Sequence, residues 1–307
     1  MLVALPALVA LSLSPQQENR AVFRVSTRAV RVDVFVGRNK RAVPGLRKED
    51  FELLDDGKPQ PITSVAVKEL PLNVFLVLDT SQSVQGITLE MLRTAASSFL
   101  EALSEGDRCG LLTFSHHLDL RSGLTDDVGS IDEALENVSA EGGTSWHDAL
   151  FVALELLEEV RDRPMVLLFT DGGDTYSWLG TEKMLPLVKR SNAVIYAIAR
   201  GEPPNMPDLR SDAGRKSWVL ARRTHGARTR LIRELTEESG GRLLEATSFE
   251  KLQELFLEIL AEMKTRYILS YSPPEPVREG WHRLEVRVRE RGVDVHARRG
   301  YTYEAER

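Results

Sequence analysis

Cysteine is nearly missing from this chain. Cys109 stands alone, so no internal disulfide can form and no Cys-rich zinc site can be assembled. It lies in the apolar run Cys109–Phe114 and reads as a small buried core residue. An excess of one charge is missing too. A net charge of −6 over 307 residues is mild and argues against bulk nucleic-acid binding. No apolar run is long enough to span a bilayer comfortably. The sequence also lacks a Gly-x-Ser-x-Gly elbow, a P-loop and a His-Glu-x-x-His helix. What is present is an ordinary globular composition, 42% hydrophobic and 28% charged. That length and composition can bury the core of one large domain or two modest ones.

The amino terminus is distinctive. Leu2 to Leu13 is almost wholly apolar and is followed by the polar run Pro15–Asn19, the pattern of a secretion signal. No Lys or Arg precedes the run and Pro15 sits near the cut, so a buried strand is the alternative. The expectation is a signal peptide and polar linker over 1–19, with export from the cytoplasm.

The stretch that organises the rest runs from Asn73 to Ser83. Val74 to Leu78 is an unbroken apolar run, which suits a strand covered on both faces. It stops at Asp79, with Ser81 and Ser83 on alternate positions. A strand ending in one carboxylate and two hydroxyls places hard oxygen donors at its carboxyl end, where open α/β sheets bind ligands. Oxygen-only donors suit Mg²⁺, Mn²⁺ or Ca²⁺ rather than zinc or copper. Taken alone, Asp-x-Ser-x-Ser also fits a turn with a helix cap.

The remaining chain alternates strands and helices. A helical period over Leu89–Leu103 is ended by Gly106, and Cys109–Phe114 is a second buried strand with a short edge strand, Leu118–Leu120, after it. Gly142-Gly143-Thr144 leads into a helix whose Ser145 and Asp148 are spaced as a capping pair. Met165–Phe169 is the third buried strand and runs into Thr170-Asp171-Gly172. A helix over Thr181–Ser191, kinked or shortened by Pro186, leads to a fourth strand, Ala193–Ala199. A further helix around Leu231 and Leu235, a strand over Arg242–Ala246 and a last helix, Phe249–Thr265, complete the pattern. The expected fold is therefore α/β, a Rossmann-like, doubly wound, mostly parallel sheet over 71–265. Alternating β segments flank it at 20–70, with a turn at Asp55-Asp56-Gly57, and at 266–307. Neither segment can bury a core alone, so the two are expected to pair as one small β-sandwich.

Asp79-x-Ser81-x-Ser83, then Thr144, then Asp171 in Thr-Asp-Gly is similar to the metal-ion-dependent adhesion site, or MIDAS, of von Willebrand factor type A (VWA) domains. The ends resemble a group of bacterial secreted proteins called VWFA-related, through Glu49–Gly57 and Arg299-Gly300-Tyr301. The resemblance implies a divalent metal, Mg²⁺ or else Mn²⁺ or Ca²⁺, held by Asp79, Ser81, Ser83, Thr144 and Asp171. It also implies an open coordination position that takes an Asp or Glu carboxylate of a protein partner, and a non-catalytic role. In some members of that family the last helix slides on ligand binding, so the Phe249–Thr265 helix is a candidate for movement.

A basic segment bears on partner choice. From Arg210 to Arg233 eight Lys or Arg residues face one acid, Asp212. Arg222, Arg223 and Arg228 are candidates for steering acidic ligands, against the plainer reading of a solvated basic loop. Two rival functions stay open. A metal-assisted hydrolase would need a base near the metal-bound water, and His147 is the candidate, expected as a surface residue of its helix. A scaffold would bind metal only for stability.

Overall fold

The computed structural model describes residues 29–39, 41–67, 71–201, 226 and 229–304. The apolar run Leu2–Leu13 and the steering candidates Arg222, Arg223 and Arg228 lie outside the described residues.

Among the described residues, five strands precede the central unit: β1 (Val30–Arg38), β2 (Arg41–Ala42), β3 (Phe51–Asp55), β4 (Lys58–Gln60) and β5 (Ile62–Ala66). The α/β unit then carries β6 (Asn73–Asp79), α1 (Ile87–Glu101), β7 (Arg108–Phe114), β8 (Leu118–Thr125), α2 (Val128–Glu136), α3 (Trp146–Leu156), β9 (Pro164–Thr170), α4 (Thr181–Arg190) and β10 (Val194–Arg200). It ends with helix α5 over 229–239, β11 (Leu243–Ala246) and α6 (Phe249–Lys264). Four strands follow among the described residues: β12 (Tyr267–Tyr271), β13 (Gly280–Val288), β14 (Asp294–Ala297) and β15 (Gly300–Tyr303).

The central sheet runs β11-β10-β9-β6-β7-β8, parallel throughout except for the antiparallel edge strand β8. All seven residues of β6 are buried because both faces are covered. On one face Leu76 and Leu78 pack with Phe99 of α1, Ile131 of α2 and Phe256 of α6. On the other, Phe75 and Val77 pack with Ala153 of α3, Val188 of α4 and Leu235 of α5. Each such side chain taken out of water contributes roughly 1.5–3 kcal/mol. The chain leaves β6 toward β7 on one side and returns to β9 on the other, so the order reverses between β6 and β9. That crevice, at the carboxyl ends of the strands, is where doubly wound sheets bind ligands.

The flanking strands form two antiparallel sheets, β14-β1-β12-β5 with β2 on β1, and β15-β13-β3-β4. β1 pairs with both β12 and β14, and β13 pairs with β3, so strands from either end of the sequence interleave. Val32, Val34 and Val36 share a core with Phe51, Leu53, Leu284 and Tyr301. Asp56 and Gly57, both at positive φ, make the turn between β3 and β4. The buried Asp55 before that turn accepts from the hydroxyls of Tyr271 at 2.7 Å and Tyr301 at 3.1 Å. Its carboxylate thus joins the Glu49–Gly57 and Arg299–Tyr301 stretches singled out in the sequence.

Three local expectations need correction. The edge strand extends to Thr125, well past Leu120, because its pairing with β7 continues through register irregularities. Of the kink or shortening expected of Pro186, the shortening does not occur: α4 runs on to Arg190, with Met184 and Val188 buried on one face. Ser145 and Asp148 do not cap α3. The Ser145 hydroxyl donates to Ser115 O at 2.7 Å, and the Asp148 carboxylate accepts from the Trp178 and Leu179 amides at 2.9 and 3.0 Å.

Candidate metal centre

Asp79 is the last residue of β6 and is fully buried. Its Oδ1 accepts from the Ser81 amide at 2.9 Å, and its Oδ2 accepts from the Thr170 hydroxyl at 3.0 Å. The turn expected of Asp-x-Ser is thus present, and it leaves the ligand role open. Among the described residues no Lys, Arg or His forms an ion pair with Asp79. Burial pushes its carboxyl up from 3.8 to about 6, and the nearby charge of Asp171 adds to that rise. A buried, unpaired carboxylate is costly unless a cation or a proton neutralises it.

Ser81 is buried and Ser83 exposed, and their hydroxyls are hydrogen-bonded to each other at 2.9 Å. Cis ligands of an octahedral Mg²⁺ lie about 2.9 Å apart when each Mg–O distance is about 2.0–2.1 Å. Thr144 is buried in the loop before α3. Its hydroxyl takes no hydrogen-bond partner among the described residues. Asp171, half-buried after β9, gives Oδ1 to the Gly173 amide at 2.8 Å and keeps Oδ2 free among the described residues. Two carboxylates and three hydroxyls, all oxygen, fit a hard divalent cation.

Backbone bonds lace the three loops together. The Glu141 amide donates to Thr80 O at 2.9 Å, and the Gln82 amide donates to Gly142 O at 3.0 Å. The amides of Thr175 and Tyr176 donate to Thr144 O at 2.8 and 3.0 Å, and the Thr144 amide donates to the Thr175 hydroxyl at 3.0 Å. Gly142 needs its glycine: its φ is +69°, and a Cβ would sit 2.0 Å from His116 Nδ1. These ties bring Asp79, Thr144 and Asp171 to one edge of the sheet through their loops.

Sequence reasoning missed several participants. Thr170 was seen only as a neighbour of Asp171, yet its hydroxyl fixes Asp79. Thr175 and Asp174 support Thr144 and α3 from a loop with no motif. Arg200, at the end of β10, donates to Ser83 O at 3.2 Å. His147 departs from its expected surface position. It is buried, its backbone amide donates to Asp174 Oδ2 at 3.1 Å, and its ring Nδ1 donates to Leu179 O at 2.9 Å. The loop 174–179 folds over the helix start and covers it. Of the basic segment only its end is described, where Arg233 pairs with Glu245 at 3.5 Å. Cys109 is buried as expected, and burial pushes its thiol up to about 12. No helix among the described residues is long and apolar enough to cross a membrane.

Inter-alpha-trypsin inhibitor heavy chain H4 of Sus scrofa is 29% identical over 133 residues, 40% of this chain and 14% of that protein. The uncharacterised Synechocystis sp. protein sll0103 is 34% identical over 109 residues, 34% of this chain and 26% of that protein. The match therefore spans no more than about a quarter of either relative. Proximal thread matrix protein 1 of the mussel byssus, solved with zinc occupying its MIDAS motif, shares the fold. Its TM-score is 0.51 at 17% identity, over 69% of this chain and 50% of that one. The von Willebrand factor type A domain model matches residues 74–173, the segment that holds all three loops. The α/β unit built on that segment has the von Willebrand factor type A fold.

Proposed function

We propose that this chain is a metal-dependent protein-binding module, in which Asp79, Ser81, Ser83, Thr144 and Asp171 hold one divalent cation, Mg²⁺ or else Mn²⁺ or Ca²⁺. The observation that carries the reading is the buried Asp79 carboxylate, which has no cationic side chain paired with it among the described residues, near the mutually hydrogen-bonded Ser81 and Ser83 hydroxyls. A bound cation would supply a Lewis-acidic position for an outside carboxylate oxygen. Neutral hydroxyl donors keep the charge at that position under-compensated, which favours an Asp or Glu of a protein partner. The rim offers contact surface for such a partner, since Trp178 is 97% exposed and Tyr176 57% exposed. Trp and Tyr are enriched among the residues that carry binding energy once an interface buries them.

The hydrolase reading is weaker. The His147 ring spends Nδ1 on Leu179 O and lies buried under its loop, so it serves the fold rather than a water molecule. A metal used only for stability remains distinguishable by experiment. We extend the proposal to an exported chain, from Leu2–Leu13, and to acidic-ligand steering by Arg222, Arg223 and Arg228. Neutralising those arginines is expected to slow association and flatten its salt dependence; unchanged kinetics would remove steering alone.

The test of function is capture of partners from an exported fraction with Mg²⁺ and with EDTA, using wild type and Asp79→Ala. Capture lost in EDTA and in the variant supports the module. Capture retained by a well-folded Asp79→Ala chain assigns the metal to stability.

A further inference from the structure

Beside the oxygen-rich centre lies a nitrogen-rich cluster that the proposed function does not use. His116 and His117 follow β7, and Glu141 precedes Gly142; all three are exposed. One ligand atom from each lies within 4.8 Å of the others. We propose that His116, His117 and Glu141 form a second divalent-metal site, suited to Zn²⁺ and similar borderline ions, on the rim of the first.

The spacing of the imidazoles carries the inference. His116 Nε2 and His117 Nδ1 face each other at 3.4 Å. Two nitrogens on a tetrahedral Zn²⁺ lie about 3.3–3.4 Å apart when each Zn–N distance is about 2.0–2.1 Å. The far side of each ring faces a polar group able to accept its other proton. His117 Nε2 is 3.6 Å from Asp119 Oδ2, and His116 Nδ1 is 3.4 Å from the Ser115 hydroxyl. Protons held on those far nitrogens leave His116 Nε2 and His117 Nδ1 as the two donors on the near side, where the Ser115 hydroxyl also lies 3.4 Å from His117 Nδ1. A carboxylate behind a ligating histidine is the common second shell of zinc sites. The rings are also placed by packing. His116 lies against Gly142 and meets Tyr176 edge-on at 6.2 Å, and the two histidine rings cross at 86°.

Glu141 adds a carboxylate from the loop tied to Thr80 and Gln82, and it closes on the ion by rotation of an exposed side chain. Three protein ligands leave the fourth position open to water or a partner's side chain. This donor set differs in kind from the first centre. Imidazole favours zinc-like ions, whereas hydroxyl and carboxylate favour Mg²⁺.

The test is Zn²⁺ titration of the full chain against a chromophoric chelator, in the Asp79→Asn background that disables the first centre. One equivalent is expected to bind. His116→Ala or His117→Ala in that background is expected to weaken it at least about tenfold, and Asp119→Asn by about tenfold. The same titration of chains carrying Asp79, in excess Mg²⁺, guards against a poorly folded Asp79→Asn. There, zinc uptake should again fall with the histidine variants while Mg²⁺ binding is unchanged. Zinc uptake that is absent in a folded Asp79→Asn chain, or indifferent to both histidines in chains carrying Asp79, overturns the site.

Discussion

The Thr170 hydroxyl donates to Asp79 Oδ2 at 3.0 Å, joining the ends of two neighbouring parallel strands inside the crevice. One carboxylate oxygen is thereby held from β9 while the other holds the Ser81 amide. Asp79 is positioned before any ion arrives. Thr170→Val is therefore expected to leave the fold intact and weaken metal affinity by about tenfold, as loss of an outer-shell partner does. Calorimetric titration with Mg²⁺ or Mn²⁺ checks this.

The pH dependence follows from the same burial. With Asp79 raised to about 6 from 3.8, the folded chain holds a proton between those values that the unfolded chain lacks. The contribution of Asp79 in chelator is then destabilising above pH 6 and fades as the pH falls through 6 toward 4. Its size is at most about 3 kcal/mol. The stability difference between wild type and Asp79→Asn in EDTA should shrink across that window. Metal should do the reverse and bind more weakly below pH 6, because the ligand must be ionised.

Gly142 joins turn geometry to the site. Gly142→Ala is expected to cost about 1–2 kcal/mol for the positive φ. It should also displace His116, on which the new Cβ would fall. Thermal unfolding should show a drop of several degrees even without metal. A loss confined to the metal-loaded protein would assign the glycine a different role.

Arg266 is buried where the α/β unit meets the sandwich. Its Nη2 donates to Gly240 O at 2.6 Å, His296 O at 3.0 Å and Asp33 O at 3.3 Å, and its Nη1 donates to the Tyr196 hydroxyl at 2.8 Å. Arg266→Ala leaves these buried acceptors without a donor. A loss of about 3 kcal/mol or more is expected in urea unfolding. Less than about 1 kcal/mol would mean that water replaces the guanidinium at little cost.

Trp178 tests the rim. Trp178→Ala should leave the melting temperature unchanged, since the ring is 97% exposed. Capture of an acidic partner should fall at least about tenfold if the ring is a contact hot spot. Equal capture would place the partner elsewhere on the rim.

The architecture was legible where burial is two-sided or periodic. Val74–Leu78 and Met165–Phe169 could only be covered strands, and Leu89–Leu103 only a one-faced helix. The five candidate donors were legible through their spacing and family resemblance, and their role as ligands is the proposal tested below. What stayed hidden depends on contacts distant in sequence. His147 is buried by a loop 27 to 32 positions further on, which no local period reports. Ser145 finds Ser115 O rather than its own helix end, because β7 ends beside it. The pairing of His116 and His117 with Glu141 is likewise tertiary, for the loop after β7 meets the loop before α3 only in the folded crevice.

Mn²⁺ binding to the full chain, followed by electron paramagnetic resonance, tests the convergence of the three loops most directly. The variants are Asp79→Ala, Thr144→Ala and Asp171→Ala, one from each loop, with His117→Ala as the control. One tight equivalent is expected in wild type and in His117→Ala, with a loss of at least about tenfold in each of the other three. Folded variants that bind Mn²⁺ as wild type does would contradict a shared centre.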